Sequence, residues 1–274
     1  MAFDGLRVLS LESRRAPEIE KLIRAQRGEP FVAPSMREVP LQENSAVFSF
    51  AEKLFRGDFD MMILLTGVGT RLLNQILDTR YPPGSLANAL RQITVVTRGP
   101  KPVAVLREWG LAPTVTVPEP NTWRELLGAI DGRPERRIAV QEYGRPAVEL
   151  TVALSDRGAE VTSVPVYAWD LPENCEPLRE AVRRAAAGDF DVILFTTSVQ
   201  ISHLFRIAAE QGVETELRDA LTRMVIASVG PTTTETMNDF ELRPDLEPSH
   251  PKMGFLVNET AARAAEILVA KRPT

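Results

Sequence analysis

The chain has 274 residues and a net charge of −5, with 44% hydrophobic and 25% charged residues. This composition is typical of a soluble globular protein of about two domains, and no stretch approaches the roughly 18 uninterrupted apolar residues of a membrane span. The acidic balance argues against a broad nucleic-acid-binding surface, and the lack of a signal-peptide pattern leads us to expect a cytoplasmic protein.

The first half of the sequence alternates short apolar runs with helical patterns. The predicted strands are Val8–Leu11, Phe31–Ala33, Met61–Leu65, Ile93–Val96 and Thr114–Val117. Apolar residues recur at helical spacing around Ile19, Leu54 and Leu73, and a further helix is expected to end near Trp109.

The second half continues this alternation. Its predicted strands are Ile138–Val140, Val161–Val166, Val192–Phe195 and Val225–Ser228. The helix after the first of these strands is expected to pack through Val148, Val152 and Leu154, and the last helix is expected near Glu259–Val269. Continuous apolar strands between amphipathic helices predict parallel sheets covered on both faces, so the expected fold class is α/β.

Several landmarks recur at a fixed offset of 131 residues. The pairs are Gly57–Asp60 with Gly188–Asp191, Thr66 with Thr197, Gly99–Pro100 with Gly230–Pro231, and Pro34 with Pro165. Recurrence at one spacing predicts a duplicated α/β unit. Two similar halves are a common way to enclose a small ligand.

Two extended, proline-punctuated stretches, at about residues 32–41 and 161–171, are the candidate linkers between the halves. The second stretch contains Pro165, Tyr167 and Trp169. A phenol such as Tyr167 can donate a proton to a leaving group or hold an oxyanion. The residues alone favour the simpler interpretation of a buried tyrosine in a linker strand.

Four predicted strands end in Thr, Ser or Gly directly before a helix. These turns are Thr66–Thr70, Thr97–Lys101, Thr196–Ser198 and Ser228–Thr234. Ligands of open parallel sheets bind beyond the carboxyl ends of the strands, where helix N-termini suit carboxylates and phosphates. Ser and Thr are also favoured N-caps, so it is their recurrence that favours an anionic ligand. Basic residues near these ends are Arg14, Arg15, Arg71, Arg98, Lys101 and Arg145.

Other motifs are missing. Thr66–Thr70 has Gly-x-Gly without the third glycine of a dinucleotide-binding turn, and Lys101 lacks the glycines of a phosphate-binding loop. Cys175, His203 and His250 show no paired metal-ligand spacing. We therefore expect no nucleotide cofactor and no metal.

Five segments, in order and over nearly the whole chain, resemble the uroporphyrinogen-III synthase family. They are Leu64–Arg71, Thr97–Lys101, Gly158–Tyr167, Phe190–Ser198 and Ser228–Thr233. The chain departs from the family pattern at Pro102, where many members have Thr, and at Gly67 and Gly69, in a turn where many have Ser and Pro.

The resemblance implies two similar flavodoxin-like α/β domains, each with a parallel sheet, joined by two extended linker strands. Domain one would comprise residues 1–36 and 170–274, and domain two residues 40–163. In this swapped assembly the first strand and helix fold with the last third of the chain.

The resemblance also implies an activity: a cofactor-independent, cyclising hydro-lyase of tetrapyrrole and heme biosynthesis. It would close hydroxymethylbilane to uroporphyrinogen III with inversion of the last pyrrole ring and loss of water. Tyr167 would assist departure of the hydroxyl. Residues expected to bind substrate carboxylates are Arg14, Thr66, Gly67, Arg98, Gly99, Lys101, Thr197, Ser198, Gly230, Pro231, Thr232 and Thr233.

Two other interpretations remain open: a two-domain small-molecule binding protein, and a tetrapyrrole-sensing domain without catalysis. Retention of Tyr167 and the Gly230–Thr233 turn favours the enzyme. We expect the tetrapyrrole substrate as the ligand, neither nucleic acid nor membrane as a partner, and a monomer.

Overall fold

A computed structural model describes residues 2–41 and 43–272 and divides the chain into two compact units. Unit 1 contains the residues up to Arg37 and from Asp170 onward, and unit 2 is Glu38–Trp169. In chain order the strands are β1 (Arg7–Ser10), β2 (Glu29–Val32), β3 (Arg37–Pro40), β4 (Met61–Leu64), β5 (Thr94–Thr97), β6 (Val115–Thr116), β7 (Arg137–Gln141), β8 (Glu160–Val164), β9 (Tyr167–Asp170), β10 (Val192–Phe195) and β11 (Val225–Ser228).

The helices surround these strands. They are α1 (Ala16–Ala25), α2 (Ser45–Phe55), α3 (Gly67–Asp78), α4 (Ser85–Leu90), α5 (Pro100–Glu108), α6 (Trp123–Ala129), α7 (Val148–Asp156), α8 (Glu176–Ala186), α9 (Val199–Gln211), α10 (Glu214–Thr222), α11 (Pro231–Asp239) and α12 (Met253–Lys271). None of the helices in the described ranges has the length and apolar character needed to cross a bilayer.

The sheet of unit 1 has the order β11-β10-β1-β2, and all of its pairings are parallel. Alternate residues of each strand point to opposite faces. Leu9 and Ile193 enter one apolar cluster, and Val8 and Leu194 enter another. Because both faces are buried, the strands are apolar throughout instead of alternating with polar residues.

Unit 2 has a five-stranded parallel sheet with the order β6-β5-β4-β7-β8. Met62 and Val95 pack on one face, and Ile63 and Val140 on the other. Each sheet joins strands of both repeat halves, because β1 and β2 lie beside β10 and β11, and β7 and β8 lie beside β4 and β5. The expected α/β fold class, with two similar parallel sheets, is confirmed.

Two further strands, β3 and β9, pair with each other in a separate two-stranded sheet. The boundary between the units falls inside both strands. β8 continues to Val164 and pairs with β7 along its whole length. The second extended stretch outside the main sheets therefore begins at Pro165.

The sequence repeat is also a repeat of structure. Elements of the two halves begin at the same offset of 131 residues: β2 and β8, α2 and α8, β4 and β10, β5 and β11, and α5 and α11. The pairing register is equivalent too, because Met61 lies opposite Thr94 and Val192 lies opposite Val225.

The expected apolar face of α7 is partly wrong. Val148 and Val152 are 56% and 53% exposed, whereas Leu150 and Leu154 are buried. Val148 and Val152 are four residues apart and so share one side of the helix, which here faces outward. The helices α4, α6 and α10 are present although the apolar pattern did not predict them.

Candidate active site

The turn between β4 and α3 is held by hydrogen bonds around Thr66. Thr66 is the N-cap of α3, and its Oγ1 accepts a hydrogen bond of 3.0 Å from the Gly69 N–H. The backbone N–H of Thr66 donates to Oε1 of Gln141, at the end of β7, over 3.3 Å. A Cβ on Gly69 would overlap Nε2 of Gln141. Glycine at position 69 is therefore required for the buried amide of Gln141 to reach the turn.

The turn between β5 and α5 lies against the same helix. A Cβ on Gly67 would lie 2.8 Å from the backbone oxygen of Lys101, so Gly67 permits close approach of the two helix N-termini. Gly99 has a φ of 113°, in the left-handed region, and a Cβ there would be 3.0 Å from Oδ1 of Asn121. The glycines in these turns thus serve backbone packing.

Tyr167 begins β9 and is 3% exposed. Its hydroxyl lies 3.4 Å from Oγ1 of Thr66, within hydrogen-bonding distance. The ring packs in the apolar cluster that contains Leu64 and Val164. The structure thus brings the hydroxyl of Tyr167 to the carboxyl end of β4, at the turn that opens α3.

Two arginines lie on the ring of Tyr143, just beyond the end of β7. The guanidinium carbon of Arg98 is 4.6 Å from the ring centroid, and that of Arg145 is 5.4 Å from it. Nε of Arg145 also donates to the phenolic oxygen of Tyr143 over 2.9 Å. Burial lowers the pKa of the Arg98 guanidinium; Tyr143 and Tyr167 partly oppose this shift, and the charge of Arg145 adds to it.

Trp169 connects Tyr143 with Tyr167. Its ring is edge-on to both, with centroid distances of 5.8 Å to Tyr143 and 6.5 Å to Tyr167. The indole rests on Gly144, where φ is +84° and a Cβ would come within 2.8 Å of the ring. Among the described residues the buried Nε1 of Trp169 has no hydrogen-bond partner.

Glu142 is buried directly beside Tyr143 in the sequence. Burial raises the pKa of its carboxyl group, and hydrogen bonds from the side chain of Ser163 and the backbone of Ala147 oppose this shift. Ala147 precedes α7. The carboxyl group of Glu142 therefore lies beside the backbone that precedes α7.

Unit 1 has its own strand-end turns. Ser198 is buried and precedes α9, and the carbonyl of Thr197 accepts from the N–H of Gln200 over 3.3 Å. Gln200 also binds Thr196 twice: its Oε1 accepts from the backbone N–H and its Nε2 donates to Oγ1, both over 2.8 Å. Oγ1 of Thr196 in turn donates to the carboxylate of Glu12.

The other turn of unit 1 opens α11. Gly230 precedes this helix in extended conformation, and a Cβ there would lie 3.0 Å from Cβ of Pro251. Pro231 occupies the first turn, where its missing N–H costs no helical hydrogen bond. Thr232 is half-buried, whereas Thr233 is 3% exposed and its N–H donates to the Gly230 carbonyl over 3.0 Å.

The predicted site residues thus fall into two groups. Unit 2 holds Thr66, Gly67, Arg98, Gly99, Lys101 and Tyr167, and unit 1 holds Arg14, Thr197, Ser198, Gly230, Pro231, Thr232 and Thr233. Arg14 is exposed in the loop before α1. Two other basic residues near strand ends form surface ion pairs, Arg71 with Glu108 and Arg15 with Glu18.

The sequence patterns missed Gln141 and Tyr143, and they gave Arg145 only as one basic residue among several. All three lie at or just beyond the carboxyl end of β7, after its apolar run Ile138–Val140. Polar residues that follow a buried strand are the sequence pattern that could have identified them. Within residues 2–41 and 43–272, no three His, Cys, Asp or Glu side chains are grouped as metal ligands.

Similar proteins support one family. Residues 17–258 match the family profile described as uroporphyrinogen-III synthase HemD. The chain is 28% identical over 263 residues to the uncharacterized protein YjjA of Bacillus subtilis, covering 94% of this chain and 95% of that protein. It is also 28% identical over 228 residues to a protein of Methanothermobacter thermautotrophicus provisionally named uroporphyrinogen-III synthase, covering 82% of this chain and 85% of that protein.

The fold is likewise similar to that of a solved structure. A mutant uroporphyrinogen III synthase from the extremely thermophilic bacterium Thermus thermophilus aligns with a TM-score of 0.69 at 22% identity, over 96% of this chain and all of that one. The family profile covers most of the sequence and includes the turns around Thr66, Arg98, Tyr167 and Gly230. The chain belongs to the uroporphyrinogen-III synthase family.

Proposed function

We propose that the protein is a uroporphyrinogen-III synthase, which closes hydroxymethylbilane to uroporphyrinogen III without a cofactor. Membership of the family supports this activity. The observation that carries it is the position of the Tyr167 hydroxyl, 3.4 Å from Oγ1 of Thr66 at the end of β4. A buried phenol at the carboxyl end of a parallel strand lies where such sheets bind their ligands.

The first chemical step breaks the bond between the terminal methylene carbon and its hydroxyl. Tyr167 donates a hydrogen bond to that oxygen as it leaves, so the group departs as water once it has taken a proton. The cationic terminal ring is then attacked by the substituted carbon of the last pyrrole, which forms a spiro intermediate. The bond between that substituted carbon and its original methylene bridge then breaks, and the freed methylene carbon bonds to the unsubstituted α-carbon of the same pyrrole, which inverts the ring. That α-carbon loses its proton, which balances the proton taken by the departing hydroxyl, so one water is released per turnover.

Thr66 orients the phenol. Its Oγ1 already accepts from the Gly69 N–H, so the hydroxyl proton of Thr66 or that of Tyr167 occupies the contact between the two oxygens. When substrate is bound, the Thr66 proton can turn toward the Tyr167 oxygen, which frees the phenolic proton for the leaving group.

Binding of the carboxylates is assigned to the strand-end turns. The substrate is a flexible polycarboxylate whose two ends must meet, so most of the rate enhancement is positioning. Helix N-termini at Gly99, Ser198 and Gly230 offer backbone N–H groups to anionic side chains. Each of these turns would offer a site for a carboxylate within its own unit.

The decisive experiment incubates the purified protein with freshly prepared hydroxymethylbilane and separates the type I and type III products after oxidation. Formation of the type III isomer in excess of the spontaneous type I isomer is expected, and dialysis against a chelator should leave it unchanged. Formation of type I alone, at the rate seen in buffer, would refute the activity. Tetrapyrrole binding without turnover would instead identify a binding protein.

A further inference from the structure

Two positive charges meet at the ring of Tyr143. Arg98 and Arg145 are both half-buried, and both guanidinium groups lie on the same phenol ring. Among the described residues of the chain, neither arginine forms an ion pair with a carboxylate. Two like charges in one partly desolvated place repel each other, and this repulsion destabilises the site. A bound anion between the two guanidinium groups would relieve it.

Three other arginines of unit 2 illustrate the contrast, because each is paired with a carboxylate. Arg137 binds Asp60, Arg133 binds Glu135 and Arg71 binds Glu108. Arg133 and Arg137 lie at the amino end of the sheet, and Arg71 is an exposed residue of α3. Arg98 and Arg145 instead follow β5 and β7, at the carboxyl edge where ligands bind.

The donors of the two arginines are only partly used. Nε of Arg145 is bonded to the Tyr143 oxygen, which fixes the orientation of the guanidinium. Arg98 stacks on the ring, and stacking leaves the N–H groups in the guanidinium plane available to an acceptor. The planar fork of an arginine matches the two oxygens of a carboxylate.

We propose that Arg98, Tyr143 and Arg145 form a clamp for an acetate side chain of the pyrrole ring on which Tyr167 acts. This proposal rests on the proposed function. Trp169 contacts the rings of both tyrosines, so the clamp and the catalytic phenol share one rigid support. Acetate has a single methylene, and its short arm keeps the pyrrole ring within reach of Tyr167 while its carboxylate is held.

The clamp has an electrostatic role in the reaction. Departure of the hydroxyl leaves a positive charge on the terminal ring, and two unbalanced guanidinium groups nearby would oppose it. A bound carboxylate places negative charge between them and the ring. Substrate with the acetate in the clamp is therefore activated, whereas a substrate lacking that side chain meets uncompensated positive charge.

Equilibrium binding of stable porphyrins tests the clamp without turnover. Uroporphyrin III carries acetate side chains, and coproporphyrin III has methyl groups in their place. Arg145→Gln should weaken uroporphyrin III binding about tenfold, as expected for loss of one charge-assisted contact, and leave coproporphyrin III binding nearly unchanged. Arg98→Lys keeps the charge but loses the stacked planar fork, and should show the same selective loss.

One variant serves as a control and another tests the contribution of the Tyr143 hydroxyl. Arg157→Gln removes the same charge from the end of α7, where Arg157 donates to the Leu127 carbonyl over 2.9 Å, and should bind both porphyrins as the wild type does. Tyr143→Phe keeps the ring but removes the hydrogen bond that orients Arg145. It should weaken uroporphyrin III binding by a smaller factor than Arg145→Gln.

The outcomes separate this proposal from the proposed function. Equal weakening of both porphyrins by Arg145→Gln, or equal weakening by Arg145→Gln and Arg157→Gln, would overturn the acetate clamp. Selective loss of uroporphyrin III binding would support it. If the wild type forms uroporphyrinogen III but the Arg98 and Arg145 variants bind uroporphyrin III as the wild type does, the clamp alone is refuted. If these variants lose uroporphyrin III binding selectively but the wild type forms no uroporphyrinogen III, the proposed function alone is refuted.

Discussion

Asp60 and Arg137 are joined by both backbone and side chain at the amino end of the unit 2 sheet. The carboxylate of Asp60 accepts from the backbone N–H of Arg137 over 3.0 Å and from its Nε over 3.3 Å. Arg7 and Asp191 repeat this arrangement in unit 1, with both contacts made at 2.9 to 3.1 Å. The aspartate that ends the repeated Gly-Asp-Phe-Asp motif therefore binds the first residue of a neighbouring strand in each unit, β7 in unit 2 and β1 in unit 1.

Asp60→Asn should make unit 2 less stable in a pH-dependent way. Hydrogen bonds from Arg137 lower the pKa of Asp60 from 3.8 to about 2. Because the folded-state pKa is below the unfolded one, the carboxylate stabilises the fold above pH 3.8 and loses this effect as the pH falls toward 2. We expect Asn to lower the Tm by about 2–4 °C at pH 7 and by less near pH 3.

Thermal unfolding followed by circular dichroism at several pH values checks this. Asp58→Asn is the matched control, because Asp58 pairs with the exposed side chain of Arg56. A Tm difference for Asp60→Asn that stays constant down to about pH 2.5 would contradict the linkage.

Tyr167→Phe should slow turnover about 100-fold, the loss expected when one proton donor is removed. The ring would stay in its apolar cluster, so the Tm and the affinity for uroporphyrin III should change little. Rates of type III product formation measure the effect. Tyr81→Phe, which alters a phenol packed edge-on against Phe55, should turn over at the wild-type rate; an unchanged rate in Tyr167→Phe as well would remove Tyr167 from the mechanism.

Gly69→Ala should destabilise the turn before α3. The new Cβ would overlap Nε2 of Gln141, so the amide must withdraw and the Thr66 N–H loses its acceptor. A cost of about 1–3 kcal/mol in the free energy of unfolding is expected for a buried polar group left without its partner. Gly128→Ala, in α6 with nothing within 4 Å of the new atom, should be neutral or stabilising.

Urea unfolding of the two alanine variants makes this comparison. The double variant Gly69→Ala, Gln141→Ala removes the overlap and should cost less than the sum of the two single changes. Strict additivity would show that Gln141 and the turn are not coupled.

The free energy of unfolding of unit 1 should decrease in mild acid because of His203. Burial lowers the pKa of His203, whose Nδ1 lies 2.6 Å from the carbonyl oxygen of Ser35. Because the folded-state pKa is below the unfolded value, stability is complete above the unfolded pKa of about 6.5 and decreases as the pH falls below it.

The free energy of unfolding, measured between about pH 8 and pH 5.5, gives this dependence as a slope against pH. His203→Gln should flatten the slope, while His250→Gln, at an exposed site, should retain it. A slope that is the same in the wild type and in His203→Gln would show that the proton is bound elsewhere.

Much of the fold was predictable because it is encoded locally and twice. The buried strands are apolar runs, their ends carry glycine, threonine or serine, and the repeat fixes their order. The errors have local causes as well. In α7, the predicted face of Val148, Val152 and Leu154 is wrong at the two valines, because Leu150 is buried beside Leu154 instead. α6 was overlooked although Thr122 and Glu125 form a capping box that the sequence displays.

The site was less predictable because it depends on the order of strands in the sheet. Arg98 follows β5 and Tyr143 follows β7, and β4 lies between these two strands. Only that arrangement, together with a side chain long enough to cross β4, places the guanidinium on the ring. Spacing along the chain carries no information about such a contact, whereas the Thr66 turn is a local pattern and was predicted.

The split of unit 1 has a consequence for the order in which the protein is made. β1 leaves the ribosome long before its partner β10, which begins only at Val192. Unit 2 is continuous, and all five strands of its main sheet are complete once Val164 has been added. Nascent chains therefore carry an apolar strand, with Val8 and Leu9 lacking half of their sheet, throughout the time that unit 2 assembles. β1 therefore cannot be paired on both sides until β10 has been made, whereas the main sheet of unit 2 needs no residue after Val164.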